Sequence, residues 1–156
     1  MKGLLKEVTD SANRGLLPIH MAGPDVGSLE ASFVADAMLN GWYPPEAYKY
    51  VELFEAEFAT FHDRAFGLMT PNCTTAIHLV LAGLGVGPGD DVIVPESTWV
   101  GSTAGVTHAR ANTIFADIDP VSWCLSRDTV ATVITQQTRA LIAVDLYGNI
   151  PRWTEL

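Results

Sequence analysis

Residues 70–95, TPNCTTAIHLVLAGLGVGPGDDVIVP, constrain the fold more than any other part of the chain. They read as a loop, a helix, a glycine-rich stop and a short buried strand. Ile77, Leu79, Val80, Leu81 and Leu84 fill the helix body, and Asn72-Cys73-Thr74-Thr75 forms its first turn. Gly83, Gly85, Gly87 and Gly89 end the helix and turn the chain back, so that residues 91–94 enter a sheet. The opening turn leaves backbone N–H groups unpaired at the positive end of the helix dipole, which suits a phosphate held at Cys73-Thr74. An ordinary N-cap uses the same residue types, and these residues by themselves leave both readings open.

Around this segment the pattern alternates between strands and helices. Strands are expected over residues 65–69, 91–94, 113–116 and 139–144. Helices are expected over 98–108 and from a Ser126 cap to about residue 134. Continuous apolar strands separated by helices indicate a mostly parallel sheet covered on both faces, a three-layer α/β/α sandwich. Ligands in such sheets gather beyond the carboxyl ends of the strands, here residues 70–73, 95–99, 117–119 and 145–148. Upstream, residues 1–27 read as an irregular lead-in broken by Pro18, Gly23, Pro24 and Gly27, and residues 28–156 as the folded part. Ser28 is expected to cap a helix through Asn40, ended by Gly41, with Leu29, Phe33, Ala37 and Met38 on one face. After the turn Trp42-Tyr43-Pro44-Pro45 a second helix spans residues 46–62. Its stripe of Ala47, Val51, Phe54, Phe58 and Phe61 has the spacing of a core face.

Several chemistries are excluded by what the chain lacks. A net charge of −9 argues against a nucleic-acid or acidic-membrane partner. No apolar run approaches the roughly 20 residues of a membrane span, and Leu4-Leu5 is too short for a secretory signal. The two cysteines, Cys73 and Cys124, have no metal spacing, and a reduced cytoplasmic protein is the simplest reading. His20, His62, His78 and His108 show no ligand spacing, so no metal is expected. Gly83-Leu84-Gly85-Val86-Gly87 closes a helix where a dinucleotide fingerprint should open one, and no Gly-Lys-Ser or Gly-Lys-Thr marks a P-loop. No His–Asn or His–Asp pair stands beside Cys73 to make it a nucleophile. Trp99 is more informative. It follows a strand end on the rim shared with Cys73-Thr74, where a flat indole suits stacking on a phosphorylated aromatic cofactor. A core tryptophan at a helix start is the plainer alternative.

Taken together, PNCTTAIHLVLAGLGVGPGDDVIVPESTWVGSTAGV, ANTIFADIDP and RALIAVDLYGN resemble the large domain of the DegT/StrS aminotransferases. These are fold type I enzymes that use pyridoxal 5'-phosphate to make amino sugars on nucleotide carriers. LNGWYPPEAYKYVELFEAEFATF is similar to the family's lead-in, so the resemblance runs from about Pro18 to Leu156. It implies that Asn72-Cys73-Thr74 is the phosphate loop, with the Cys73 and Thr74 amides on the phosphate, and that Trp99 stacks on the ring. Asp117-Ile118-Asp119 matches a strand-end motif, and Asp145-Leu146-Tyr147-Gly148 a rim segment. Cys73 stands where a small Gly or Ala is usual, and Asp145 where a His is common.

The resemblance also implies what is missing. The family's pyridinium-pairing acid and Schiff-base lysine both lie beyond the Leu-Tyr-Gly segment. The lysines here are Lys2, Lys6 and Lys49, none in a matching position, so no catalytic residue is assigned. The expected function is the N-terminal portion of an aminotransferase acting on a keto-sugar nucleotide with an amino-acid donor, inactive by itself. It would be completed by the C-terminal half of the enzyme and homodimeric when complete. A fragment of a related sugar dehydratase and a non-catalytic interaction module are the alternatives. Fold type I sheets run 3-2-4-5-6-7-1, so residues 65–69 would form an edge strand whose neighbour is absent, while the next three strands pair as a block.

Overall fold

The computed structural model of the chain describes residues 23–156. The expected lead-in over residues 1–27 thus falls largely outside the described residues. Its last part, residues 23–27, carries neither helix nor strand. Between Gly67 and Leu68 the chain divides into two compact units.

In the first unit, α1 spans Ser28–Asn40 and α2 spans Lys49–Phe61. Gly27, and not Ser28, is the N-cap of α1, because the Glu30 carboxylate reaches back to accept the Gly27 amide at 2.6 Å. That bond occupies an amide that helix geometry would leave unpaired, and it starts the helix one residue earlier. The second helix begins at Lys49, later than the expected residue 46. The amides of Glu46 and Ala47 both turn back to the Tyr43 carbonyl, at 3.2 and 3.1 Å, and Tyr48 sits in the left-handed region at φ 70°. Asp36 ties the helices together, accepting from the Tyr50 hydroxyl, from Asn40 Nδ2 at 2.7 Å and from Lys49 Nζ at 3.4 Å. The Tyr50 hydrogen bond is the chief cause holding the Asp36 carboxyl below the usual aspartate range.

The aromatic stripe of α2 is not a core. Phe54 and Phe58 stack on each other at 5.2 Å but remain 47% exposed, Phe61 is 83% exposed, and Ala59 is the buried residue of the helix. The expected face of α1 is likewise exposed at Leu29, Phe33 and Met38. Period and composition mark a face that can be buried. They do not supply the surface that buries it.

The second unit contains α3 (Cys73–Gly83), β1 (Asp91–Pro95), α4 (Gly101–His108), β2 (Asn112–Ala116), α5 (Arg127–Ala131), β3 (Thr138–Leu141) and a 3-10 turn at Leu146–Gly148. The strands form one parallel sheet in the order β2-β1-β3. This is the 3-2-4 block that the resemblance implies. Every residue of central β1 is buried. Val92 and Val94 pack with Leu81, Val86 and Val106 from the α3 and α4 side. Ile93 packs with Ala116 and Leu125, and with the half-buried Val130 and Val133. Alternate residues of one strand thus feed two clusters, which makes the unit a three-layer α/β/α arrangement.

Asp91 fastens the amino end of the sheet. It is almost fully buried, and its two oxygens accept from Asn112 Nδ2 at 3.0 Å and Thr135 Oγ1 at 2.9 Å. Past α3, the Gly85 amide bonds to the Ala82 carbonyl and the Val86 amide to the Leu81 carbonyl, with Gly85 at φ 73°. This paired closure satisfies the last carbonyls and needs a left-handed residue, so Gly85 carries the stop and Leu84 is the C-cap.

The expected strand over residues 65–69 does not form. Gly67 lies directly against α2, where a Cβ would overlap the Glu55 carbonyl, so this backbone follows a helix and joins no sheet. The β3 ladder ends at Leu141, short of residue 144, although the Ile142 amide still bonds to the Ile93 carbonyl at 2.9 Å. Ser126 caps α5 as expected, accepting the Thr129 amide, but the helix stops at Ala131. No helix among the described residues is long and apolar enough to cross a membrane.

Candidate functional site

The site grows from the first turn of α3. Asn72 is extended, and its Oδ1 accepts both the amide and the hydroxyl of Thr75, at 2.9 and 3.0 Å. The Ala76 amide bonds to the Asn72 carbonyl. Of the amides that open the helix, those of Cys73 and Thr74 are left without a partner among the described residues, and they point out along the helix dipole. The plain N-cap reading of Asn72 is therefore correct, and the Cys73 and Thr74 amides stay open beside it. Cys73 is exposed and Cys124 buried, and both thiols are free.

A second wall comes from the turn between β1 and α4. Thr98 Oγ1 lies 2.9 Å from Ser102 Oγ, and the Ser102 amide bonds to the Trp99 carbonyl at 3.0 Å. These short-range bonds tighten the first turn, which is why α4 opens at Gly101 and not at the expected residue 98. Trp99 stands outside the helix, 79% exposed. With the segment after β3 these parts enclose a cavity of about 610 Å³, bounded by Cys73, Thr74, Trp99, Gly101, Asp145 and Tyr147 among others. It opens beyond the carboxyl ends of β1 and β3, the place where parallel sheets bind ligands.

Three of the four expected rim segments meet there. The fourth, residues 117–119, does not line the cavity. Asp119 instead braces the loop after β2, its carboxylate accepting from the amides of Val121 and Ser122 and from the Ser122 hydroxyl. Those bonds, the Ser122 amide foremost, hold its carboxyl below the usual aspartate range. Asp119 also lines a separate polar cavity of about 640 Å³ together with Arg152 and Glu155. Arg152 is engaged there by Glu155 at 3.3 Å.

Sequence reasoning missed the two glycines of α4. A Cβ on Gly105 would come within 2.5 Å of Ile77 Cγ2 and 3.2 Å of the His78 amide nitrogen. A Cβ on Gly101 would meet Thr74 Oγ1 at 2.8 Å and Trp99 Cδ1 at 3.1 Å. One helical turn apart, they let α3 and α4 approach closely and bring the first turn of α3 beside the indole. The spacing Gly101-Ser-Thr-Ala-Gly105 was visible in the sequence, but its partner helix was not.

The DegT/DnrJ/EryC1/StrS aminotransferase family matches residues 24–155. The chain belongs to this family. It is 36% identical over 132 residues to the GDP-perosamine synthase of Caulobacter vibrioides, covering 85% of this chain and 35% of that relative. It is also 36% identical over 138 residues to the L-glutamine:2-deoxy-scyllo-inosose aminotransferase of Streptomyces kanamyceticus, covering 85% of this chain and 32% of that one. Among solved structures, an aminotransferase from Psychrobacter cryohalolentis aligns with TM-score 0.75 at 28% identity, over 83% of this chain and 33% of that one. NtdA from Bacillus subtilis, with bound cofactor PMP, aligns with TM-score 0.72 at 26% identity, over 87% and 32%. The fold of this family member is thus a partial α/β domain of the fold type I kind. The chain spans about a third of the length of the relatives it matches.

Proposed function

We propose that this chain forms the phosphate- and ring-holding part of a pyridoxal-phosphate site in an aminotransferase acting on a keto-sugar nucleotide. The observation that carries the proposal is the meeting, on one cavity, of the unpaired Cys73 and Thr74 amides with the exposed indole of Trp99. The residues fit the group. Two amides at a helix N-terminus suit the phosphate, an uncovered indole suits the flat ring, and the glycine at position 101 leaves room between them. When bound, pyridoxal phosphate supplies an electron sink for chemistry at a substrate's nitrogen-bearing carbon. The chain's own residues do the holding. Cys73 and Thr74 donate to the phosphate, Asn72 keeps their turn fixed through Thr75, and Trp99 covers one ring face and excludes water from it.

The resemblance puts none of this chain's lysines at the position that anchors the cofactor. Lys49, in the other unit, is engaged by Asp36 and Glu46 at 3.4 and 3.5 Å. We infer that transamination belongs to the whole enzyme, with the acid, the lysine, the amino-donor contacts and the second protomer supplied outside these residues. The names of the sugar and cyclitol aminotransferases it is similar to support that substrate class. Mixing the chain with pyridoxal phosphate, reducing with borohydride and mapping the peptides tests this reading. Reversible cofactor binding with no single lysine modified at full occupancy is expected. A fully modified Lys2, Lys6 or Lys49, or no binding at all, would contradict it.

A further inference from the structure

Trp99 is 79% exposed and lies outside α4, with the pyrrole edge of its indole near Gly101. A Cβ built at Gly101 would stand 3.1 Å from Cδ1 and 3.7 Å from Nε1 of that ring, and 2.8 Å from the Thr74 hydroxyl. Gly101 is itself buried, so it has no room to move outward and relieve such a contact. Its φ is not left-handed, and the helix asks for no glycine here. The requirement is for space.

We propose that Gly101 is a positioning residue for the cofactor. By lacking a side chain it fixes the tilt of the Trp99 indole and its spacing from the phosphate-binding turn at Thr74. This rests on the cofactor reading above. The phosphate and the ring of one rigid ligand must be met at once, so a few tenths of an ångström at the ring edge moves one contact out of register with the other. Overpacking is also the change a close-packed junction tolerates least.

The test combines Gly101→Ala, Trp99→Ala and the double variant, with pyridoxal phosphate as the probe in equilibrium dialysis. The ligand-free indole N–H resonance of Trp99 is followed in parallel. Gly101→Ala is expected to weaken cofactor binding about fivefold. It should also shift the indole resonance and lower the melting temperature modestly, because the buried junction is overpacked. In the Trp99→Ala background the same change is expected to add less than about a twofold loss, since the ring it displaces is gone. Losses that multiply in the double variant would show that Gly101 does not act through the ring, and would overturn the proposal. Should Gly101→Ala fail to fold, proton cross-relaxation between Gly101 and the Trp99 ring edge in the unaltered chain decides, and its absence overturns the assignment. If the unaltered chain binds no pyridoxal phosphate, the cofactor reading falls and this proposal with it. If the chain and Gly101→Ala bind equally well, the proposal falls alone.

Discussion

Expressed by itself, the chain is expected to self-associate and to bind an apolar dye. In the first unit Val34, Met38 and Leu39 on α1 are 60–80% exposed, and Phe54, Phe58 and Phe61 on α2 are 47–83% exposed. Soluble monomers rarely show a contiguous apolar patch beyond a few hundred Å², and large apolar side chains on both helices are uncovered here. In the second unit β2 and β3 are both edge strands, with N–H and C=O groups open to pairing. Central β1, by contrast, is buried throughout. The sheet therefore has a core but no protected margin. Replacing Phe54 and Phe58 together by serine is expected to reduce the associated fraction severalfold in sedimentation. It should cost little stability, because neither ring is buried. Co-expression with the remaining two thirds of a family member is expected to restore a soluble species. A monomeric, dye-silent chain with a cooperative melt would show that these faces need no partner.

The second large effect is at the cofactor ring. Trp99→Ala is expected to weaken pyridoxal-phosphate binding on the order of tenfold, and Trp99→Phe about two- to threefold. An aromatic stack contributes roughly 0.5–1.5 kcal/mol beyond the area it covers, and alanine loses both parts. Phenylalanine keeps a smaller face. Because the indole is largely exposed in the free chain, the melting temperature is expected to stay unchanged in both variants. Cofactor dialysis and a thermal melt on the same samples separate binding from folding. Equal cofactor binding in all three proteins would remove Trp99 from the site.

Much of the second unit was legible in the sequence because its signals are local. Asp91–Pro95 and Asn112–Ala116 are short apolar runs bounded by turn residues, and both form strands of the parallel sheet. Ser126 caps the helix it was expected to cap, and Asn72 takes the ordinary N-cap role that was left open for that turn. Where the reading failed, the deciding partner was distant or the bond was irregular. Residues 65–69 carry strand-like composition, but a strand exists only against a neighbour, and here Gly67 lies on α2. The α2 stripe has core spacing without a covering surface. Its start was misplaced because the Tyr43 carbonyl takes two amides that helix propensity assigned to the helix. In the candidate site, the helix start at Asn72-Cys73-Thr74 was readable, since capping chemistry is written in adjacent residues. The roles of Gly101 and Gly105 depend on Thr74, Trp99 and Ile77 across a helix pair, and glycine spacing alone names no partner.

The central claim is that the Cys73–Thr74 turn and the Trp99 indole form one binding site. Titration of the isotopically labelled chain with pyridoxal phosphate, followed through its amide and indole resonances, tests this most directly. The predicted result is that the Cys73 and Thr74 amides and the Trp99 indole N–H move together with a single saturating midpoint, while inorganic phosphate moves the two amides and leaves the indole in place. Saturation at unrelated residues, or no saturable shift at Cys73, Thr74 and Trp99, would contradict it.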